Sequence, residues 1–149
     1  MKALSIDPEY TYYIFHGEKD VECRTWRTNH RGEILICATK VKVPGCISGH
    51  AYFTANLVDI VPFTKEHLDR AMMEEMPSGK CYAWLLEDIE PIYPIPVNGK
   101  LGLFDVDDSL IHYIADDIPD SMTDDEAAEF VNRVYDEQFT PLTYLPAQL

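Results

Sequence analysis

Four side chains that could bind or transform a ligand lie within residues 17–27: Lys19, Glu22, Arg24 and Trp26. A lysine and a glutamate held in one cleft can act as acid and base toward a water or a 2′-hydroxyl. An arginine can hold phosphate or carbonyl oxygens, and an indole can stack on a base. The set therefore predicts recognition of a nucleobase or nucleotide, or hydrolysis of one.

A β-strand is expected to position these side chains. Small or apolar residues alternate with large polar or aromatic ones at a period of two: Val21, Cys23 and Thr25 against Glu22, Arg24 and Trp26. Successive side chains of a strand point to opposite faces, so we expect the first set on a core and the second set side by side on the other face. Lys19 would stand at the start of this strand.

The spacing alone leaves a second interpretation open. Opposite charges along an exposed strand are ordinary, and neighbouring pairs contribute only about 0.2 to 1 kcal/mol. The row can therefore be a solvated charge ladder, and Lys19 with Glu22 can be a mutually neutralised ion pair that closes a pocket. Both interpretations stand at this stage.

A short helix is predicted before the strand. Asp7 can cap it, Pro8 suits its first position and Gly17 ends it. Its carboxyl end leads directly to Lys19, so the helix would support the site. Tyr10 is a further candidate for the pocket lining, although an aromatic at helical spacing more often packs in a core.

The remaining pattern predicts more strands and a second short helix. A near-continuous apolar run at 34–37 is typical of a strand buried on both faces. Further strands are expected at 2–6, 51–62, 81–89 and 101–106, and Thr64 would cap a helix that ends near Met73. We expect a mixed α/β protein with a mainly β core: a barrel of five to six strands with short inserted helices.

The chain from residue 107 onward has a helical pattern instead of the strand patterns that precede it. Thr123 and Glu126 form a capping-box pattern, and an apolar stripe follows it at Ala127, Phe130, Val131 and Val134. We therefore expect a barrel domain at 1–106 and an acidic helical extension at 107–149 that packs on it. The alternative cover for the stripe is a protein partner or a second copy in a homodimer.

The distribution of charge matters more than the net charge of −14. Residues 105–149 hold twelve acids and one base, whereas residues 19–42 hold six bases and three acids. A basic surface beside an acidic extension is therefore compatible with a nucleic-acid partner. If the extension covered that surface, its deletion would strengthen RNA binding.

Cysteine spacing and hydropathy indicate the redox state of the cysteines and the cellular location of the protein. The cysteines lack C-x-x-C spacing and a nearby histidine at a zinc-site interval, so we expect them to be reduced and expect no metal or other cofactor. No apolar run is long enough to cross a bilayer, and the first residues lack a signal-peptide pattern. These features predict a cytoplasmic protein without a membrane partner. The four cysteines are Cys23, Cys37, Cys46 and Cys81.

The most specific stretch of the chain is the element Gly17-x-Lys19-x-x-Glu22-x-Arg24-x-Trp26. It is flanked by Leu4-Ser5-Ile6-x-Pro8-x-Tyr10, Arg31-Gly32-x-x-x-Ile36-x-Ala38-x-Lys40, Ala83-Trp84-x-Leu86 and Gly99-Lys100-x-Gly102-Leu103-Phe104. Together these stretches, from about residue 2 to 105, resemble the ASCH family.

The resemblance implies a PUA-like β-barrel that binds RNA or a modified nucleoside. It adds Lys40 and Trp84 to the candidate site, because both match the family pattern. Stacking on an indole contributes about 1 to 3 kcal/mol per base. The expected ligand-binding residues are Tyr10, Arg24, Trp26, Arg27, Lys40 and Trp84.

A hydrolase acting on RNA or acylated nucleosides is the alternative. Small relatives of this fold are amidohydrolases with a threonine nucleophile, a lysine and a glutamate. Here Glu22 occupies the position that matches the threonine, so that mechanism does not transfer. Catalysis would rest on Lys19 and Glu22 as acid and base, and whether the protein is an enzyme stays open.

Overall fold

A six-stranded sheet curled into a half barrel forms the body of the computed structural model, which describes residues 1–147. The sheet order is β2-β5-β4-β3-β1-β6. The predicted mixed α/β fold with a mainly β barrel and short inserted helices is confirmed. The strands are β1 (Lys2–Ile6), β2 (Val21–Arg24), β3 (Gly32–Ala38), β4 (His50–Pro62), β5 (Tyr82–Pro96) and β6 (Leu103–Asp105).

The two longest strands produce the curl. β4 and β5 pair antiparallel along most of their length, and their register shifts at three places. Such bulges bend a strand and increase its twist. β1 pairs parallel with β3 and antiparallel with β6. β2 and β6 are therefore the two edges of the sheet, and the half barrel is open between them.

The helices are short and begin where the sequence indicates. α1 (Pro8–Phe15) is capped by Asp7, whose side chain accepts a hydrogen bond from the Glu9 backbone N–H. α2 (Leu68–Ala71) continues a 3₁₀ turn at Lys65–His67. α3 (Asp124–Val134) has the predicted capping box between Thr123 and Glu126.

The core fills the inside of the curl. The apolar run of β3 is completely buried, with residues 34–37 at most 1% exposed, as expected for a strand covered on both faces. The largest fully buried side chains include Trp84 and Phe53. They pack with Leu4, Ile14 and Leu86 in one cluster.

Both faces of β2 are covered, whereas the sequence predicted a core on one face only. Glu22 pairs with Trp84 of β5, and directly paired residues share a face, so the polar row points toward the main core. Val21 instead packs under α2 in a smaller cluster with Phe63 and Ala71. Alternation identified which residues share a face, but both faces of β2 are covered.

The expected reduced state of the cysteines is wrong for one pair. Cys23 and Cys81 form a disulfide with a Cα–Cα distance of 6.3 Å. The antiparallel pairing places Cys23 opposite Ala83, two residues beyond Cys81, which brings the two sulfur atoms together. Cys37 and Cys46 are free and buried.

The carboxyl-terminal extension contacts the half barrel. Tyr113 forms an isolated β-bridge with Ile92 of β5. Val134 and Phe139 belong to the main core cluster, and Phe139 packs on the rings of Phe15 and Tyr52. The proposed division near residue 106 and the expected homodimer or protein partner stay predictions.

Within the described residues, no helix is long and apolar enough to cross a membrane.

Replacing Phe139 by alanine should lower the free energy of unfolding by about 3 kcal/mol, because it removes a buried ring between the extension and the barrel. Leu145→Ala is the matched control, since Leu145 is 71% exposed. Urea denaturation measures both. Equal, small effects of the two substitutions would show that the extension does not pack on the core.

Candidate functional site

Lys19 is buried at the point where α1 leads into β2. The left-handed conformation of Gly17, with φ +79°, ends the helix and turns the chain. The Lys19 ammonium donates a hydrogen bond of 2.7 Å to the carbonyl of Ala71 and lies 3.6 Å from a Glu22 carboxylate oxygen. It also lies 5.1 Å from the centre of the Tyr10 ring. Lys19 is 3% exposed.

Glu22 lies between the two cations. Its carboxylate is 3.4 Å from an Arg24 guanidinium nitrogen and accepts a hydrogen bond of 3.2 Å from the Cys23 backbone N–H. Glu22 is 6% exposed. A buried carboxylate is tolerated only when charges and hydrogen bonds compensate its lost hydration. Lys19 and Arg24 supply that compensation.

Arg24 spans the open side of the half barrel. Its Nη2 donates a hydrogen bond of 2.6 Å to the carbonyl of Ser5. Ser5 lies on β1, next to one edge of the sheet, whereas Arg24 lies on β2 at the other edge. The Lys19–Glu22–Arg24 network, by which we mean these three side chains, therefore connects the two sides of the opening.

Burial lowers the pKa of Lys19 below its ordinary value of 10.5. The charged form is disfavoured because the ammonium has lost hydration. The Glu22 carboxylate partly opposes this effect and raises the pKa. Lys19 can therefore release its proton more readily than a lysine on the surface.

Trp84 does not present a stacking face to a ligand. It is fully buried, and its indole N–H donates a hydrogen bond of 3.2 Å to the carbonyl of Trp26. The two rings meet edge to face with centroids 4.7 Å apart. This burial removes Trp84 from the expected ligand-binding set. Trp26 is half-buried and packs against the main core.

Arg27 and Tyr10 lie on the surface. Arg27 is exposed, and its guanidinium lies 5.8 Å from the centre of the Tyr82 ring. Tyr10 is 43% exposed. Both side chains are accessible, but neither is hydrogen-bonded to Glu22 or Arg24 among the described contacts.

Ser5, whose carbonyl Arg24 holds, also lines a cleft next to the network. Of the four side chains Lys19, Glu22, Arg24 and Trp26, Lys19 lines a cleft of about 330 Å³, which it shares with Gly17 and Asp20. A cleft of about 400 Å³ instead opens where β1 and β3 end. We call it the Ser5 cleft; its lining residues are Ser5, Thr39, Lys40, Asn98, Gly99, Lys100 and Leu101.

The surface of the Ser5 cleft is mainly apolar, and two lysines among its lining residues supply positive charge. Ser5 Oγ and Thr39 Oγ1 are buried and have no hydrogen-bond partner. Lys40 and Lys100 are exposed, and within the described part of the chain neither takes part in an ion pair. The lysines offer donors and positive charge to an anion, whereas the two hydroxyl oxygens are covered by other protein atoms.

Sequence reasoning named Lys40 but not the other residues of this cleft. Ser5, Gly99 and Lys100 lie in the stretches that carry the family resemblance, and this position could have marked them as candidates. Nothing in the sequence pattern marked Thr39. Within residues 1–147 no three His, Cys, Asp or Glu side chains are placed to hold a metal ion.

Comparison with known proteins gives a family and a fold. The family model of the ASCH domain matches residues 4–100. The ASCH protein from Zymomonas mobilis is similar in structure, with a TM-score of 0.57 and 23% identity over 72% of this chain and 88% of that chain. Two of its point mutants give TM-scores of 0.56 and 0.59 at 24% and 23% identity, covering 71% and 74% of this chain and 89% and 95% of theirs. Curated proteins gave no match.

Replacing Glu22 by glutamine should lower the pKa of Lys19 further, because the substitution removes the carboxylate that favours the ammonium. An NMR titration of the Lys19 side chain measures this. Asp20→Asn is the control and should have a smaller effect, since Asp20 raises that pKa less than Glu22 does. An unchanged pKa in Glu22→Gln would contradict the network.

Proposed function

Because the chain belongs to the ASCH domain family, which is generally described as a PUA-like RNA-binding domain, we propose that it binds RNA or a modified nucleoside at the Ser5 cleft. The observation that carries the proposal is the cleft of about 400 Å³ lined by two exposed lysines, neither of which is in an ion pair within residues 1–147. Phosphate and sugar groups are the natural partners of such donors.

The charge of the cleft favours an anion despite the acidic composition of the chain. Affinity for nucleic acid depends on the lysines and arginines that reach phosphates, not on the net charge alone. Lys40 and Lys100 approach the cleft from two separate segments. Their positive charge is not neutralised by an ion pair among the described residues.

The Lys19–Glu22–Arg24 network supports the cleft rather than lining it. Arg24 holds the Ser5 carbonyl from the side of β2, and Glu22 holds Arg24. In this proposal Arg24 is a positioning residue for Ser5. Trp26 packs against the main core, while Arg27 and Tyr10 are accessible for further contacts with RNA.

Replacing Lys40 or Lys100 by methionine should weaken the binding of a short single-stranded RNA by about tenfold, because each change removes a charge-assisted contact to phosphate. The salt dependence of binding should also fall by about one released counterion per lysine. Fluorescence anisotropy at several salt concentrations measures both quantities.

Lys65→Met is the matched control for these variants. Lys65 is an exposed lysine beside α2 and does not line the Ser5 cleft. Its replacement should leave the affinity unchanged. Equal losses in all three variants would indicate non-specific charge effects and would remove the cleft from the proposal.

Hydrolysis of RNA or of an acylated nucleoside is the second candidate function. The lowered pKa of Lys19, at 3.6 Å from Glu22, is the observation that favours it, because perturbed titratable groups cluster at catalytic sites. In this proposal the pair acts as acid and base toward a bound water or 2′-hydroxyl.

The hydrolase proposal predicts that Lys19→Met and Glu22→Gln each abolish turnover of RNA or N-acylated nucleosides while Lys65→Met retains it. Product formation is followed by chromatography, and thermal unfolding verifies that each variant folds. Full turnover in both site variants, or no turnover by the unmodified protein, would reject the hydrolase and leave the binding proposal.

A further inference from the structure

The disulfide between Cys23 and Cys81 lies at the carboxyl end of β2. Cys81 immediately precedes β5, the strand with which β2 pairs, and the pairing ends at Arg24 opposite Tyr82. β2 is an edge strand of four residues. Short elements at the edge of a fold open locally at a lower free energy than its core does. The cross-link therefore holds β2 at the end where its pairing stops.

The backbone of Cys23 is hydrogen-bonded to the Lys19–Glu22–Arg24 network. Its N–H donates the bond of 3.2 Å to the Glu22 carboxylate, which lies 3.4 Å from an Arg24 nitrogen and 3.6 Å from Lys19 Nζ. The Cys23 side chain packs in the small cluster around Val21. A displacement of Cys23 would therefore move a hydrogen-bond donor of Glu22, and the positions of both cations depend on Glu22.

The segment from α2 to Cys81 is attached to β2 and the chain before it at both ends. At one end the Lys19 ammonium donates a hydrogen bond to the carbonyl of Ala71, and at the other end the disulfide joins Cys81 to Cys23. Residues 72–81 between these points form turns and irregular chain. Cleaving the disulfide would release the second of these ends.

The surroundings of the disulfide favour thiol exchange. Cys23 and Cys81 are both half-buried. Lys80 precedes Cys81 and is exposed, and its ammonium lies 5.5 Å from the centre of the Tyr82 ring. The Arg27 guanidinium lies 5.8 Å from the centre of the same ring. Positive charge beside a partly exposed cysteine stabilises its thiolate and so favours exchange.

The other two cysteines differ in both respects. Cys37 is 1% exposed and Cys46 is 6% exposed. Burial raises the pKa of Cys37 to about 12 and raises the pKa of Cys46 above its ordinary value. A thiol that stays protonated is a poor nucleophile. Redox chemistry in this chain is therefore expected at the Cys23–Cys81 pair.

We propose that the Cys23–Cys81 disulfide is a reversible redox switch that holds or releases β2, and with it the Lys19–Glu22–Arg24 network. The reductant is a low-molecular-weight thiol such as glutathione. One thiolate attacks a sulfur of the pair to form a mixed disulfide, and a second thiolate resolves it. The protein gains two electrons and two protons, and two small thiols are oxidised to one disulfide. The inference goes beyond RNA binding and does not depend on it.

Backbone amide exchange, measured by NMR on the oxidised protein and on the protein reduced with glutathione, tests the proposal. Reduction should speed exchange at Cys23 and Arg24 at least about tenfold, because a disulfide typically stabilises the closed segment by more than this factor. Exchange at residues 34–37 of β3 should not change. The pKa of Lys19 should rise toward 10.5, because burial is the largest effect that lowers it and release of β2 admits water.

Variants connect these changes to the disulfide. The double variant Cys23→Ser with Cys81→Ser should match the reduced protein, both with and without glutathione. Cys46→Ala is the matched control, since Cys46 is free and buried. It should keep the response of the unmodified protein to glutathione.

Other results would overturn the proposal. Titration of four free thiols after treatment with glutathione disulfide would show that the cross-link does not form. Equal exchange in the two redox forms, or an unchanged pKa of Lys19, would show that the cross-link does not control the network. An equal rise in exchange at β3 would show that reduction destabilises the whole fold instead of releasing β2.

Discussion

The hydrogen bond from Arg24 to the Ser5 carbonyl closes the half barrel where the sheet itself does not. β2 has four residues and pairs on one side only, with β5. An edge strand of this kind needs further contacts to stay in place. The guanidinium supplies one by reaching β1, and the disulfide between Cys23 and Cys81 supplies another. The geometry of the opening therefore depends on a charged group.

The Arg24 guanidinium accounts for the other two members of the network, because each buried charge needs a partner of opposite sign. An arginine directed toward a core requires a carboxylate, which Glu22 provides, and the buried carboxylate requires further compensation from Lys19. Lys19 in turn donates to the carbonyl of Ala71 at the end of α2. A lysine, a glutamate and an arginine in this order thus connect α2, β2 and β1. Because Arg24 holds the Ser5 carbonyl, the network also helps to position the Ser5 cleft.

Local patterns in the sequence predicted the elements well. The Asp7 cap, the buried run of β3 and the capping box at Thr123 each depend on neighbours a few residues away. The family motif likewise located the network. The sequence could not show that both faces of β2 are covered, because a period of two assigns residues to faces without stating what packs on each face.

Contacts between residues far apart in the chain could not be predicted from the sequence. The disulfide joins cysteines 58 positions apart, and the Ser5 cleft combines residues from the ends of β1 and β3 with the connection that precedes β6. Trp84 is a residue for which the sequence predicted a ligand contact that the structure does not show. Its match to the family pattern suggested a ligand contact, but its position on β5 opposite Glu22 places it in the core. Only the assembled sheet brings these residues together or separates them.

The most direct test of the account is an NMR titration of the labelled protein with a short single-stranded RNA, following every backbone amide. The account predicts that the largest changes in amide chemical shift occur at Ser5, Thr39, Lys40, Gly99 and Lys100. Smaller changes are expected along β2, because Arg24 connects β2 to Ser5. Shifts confined to the extension, or no shifts at saturating RNA, would contradict it.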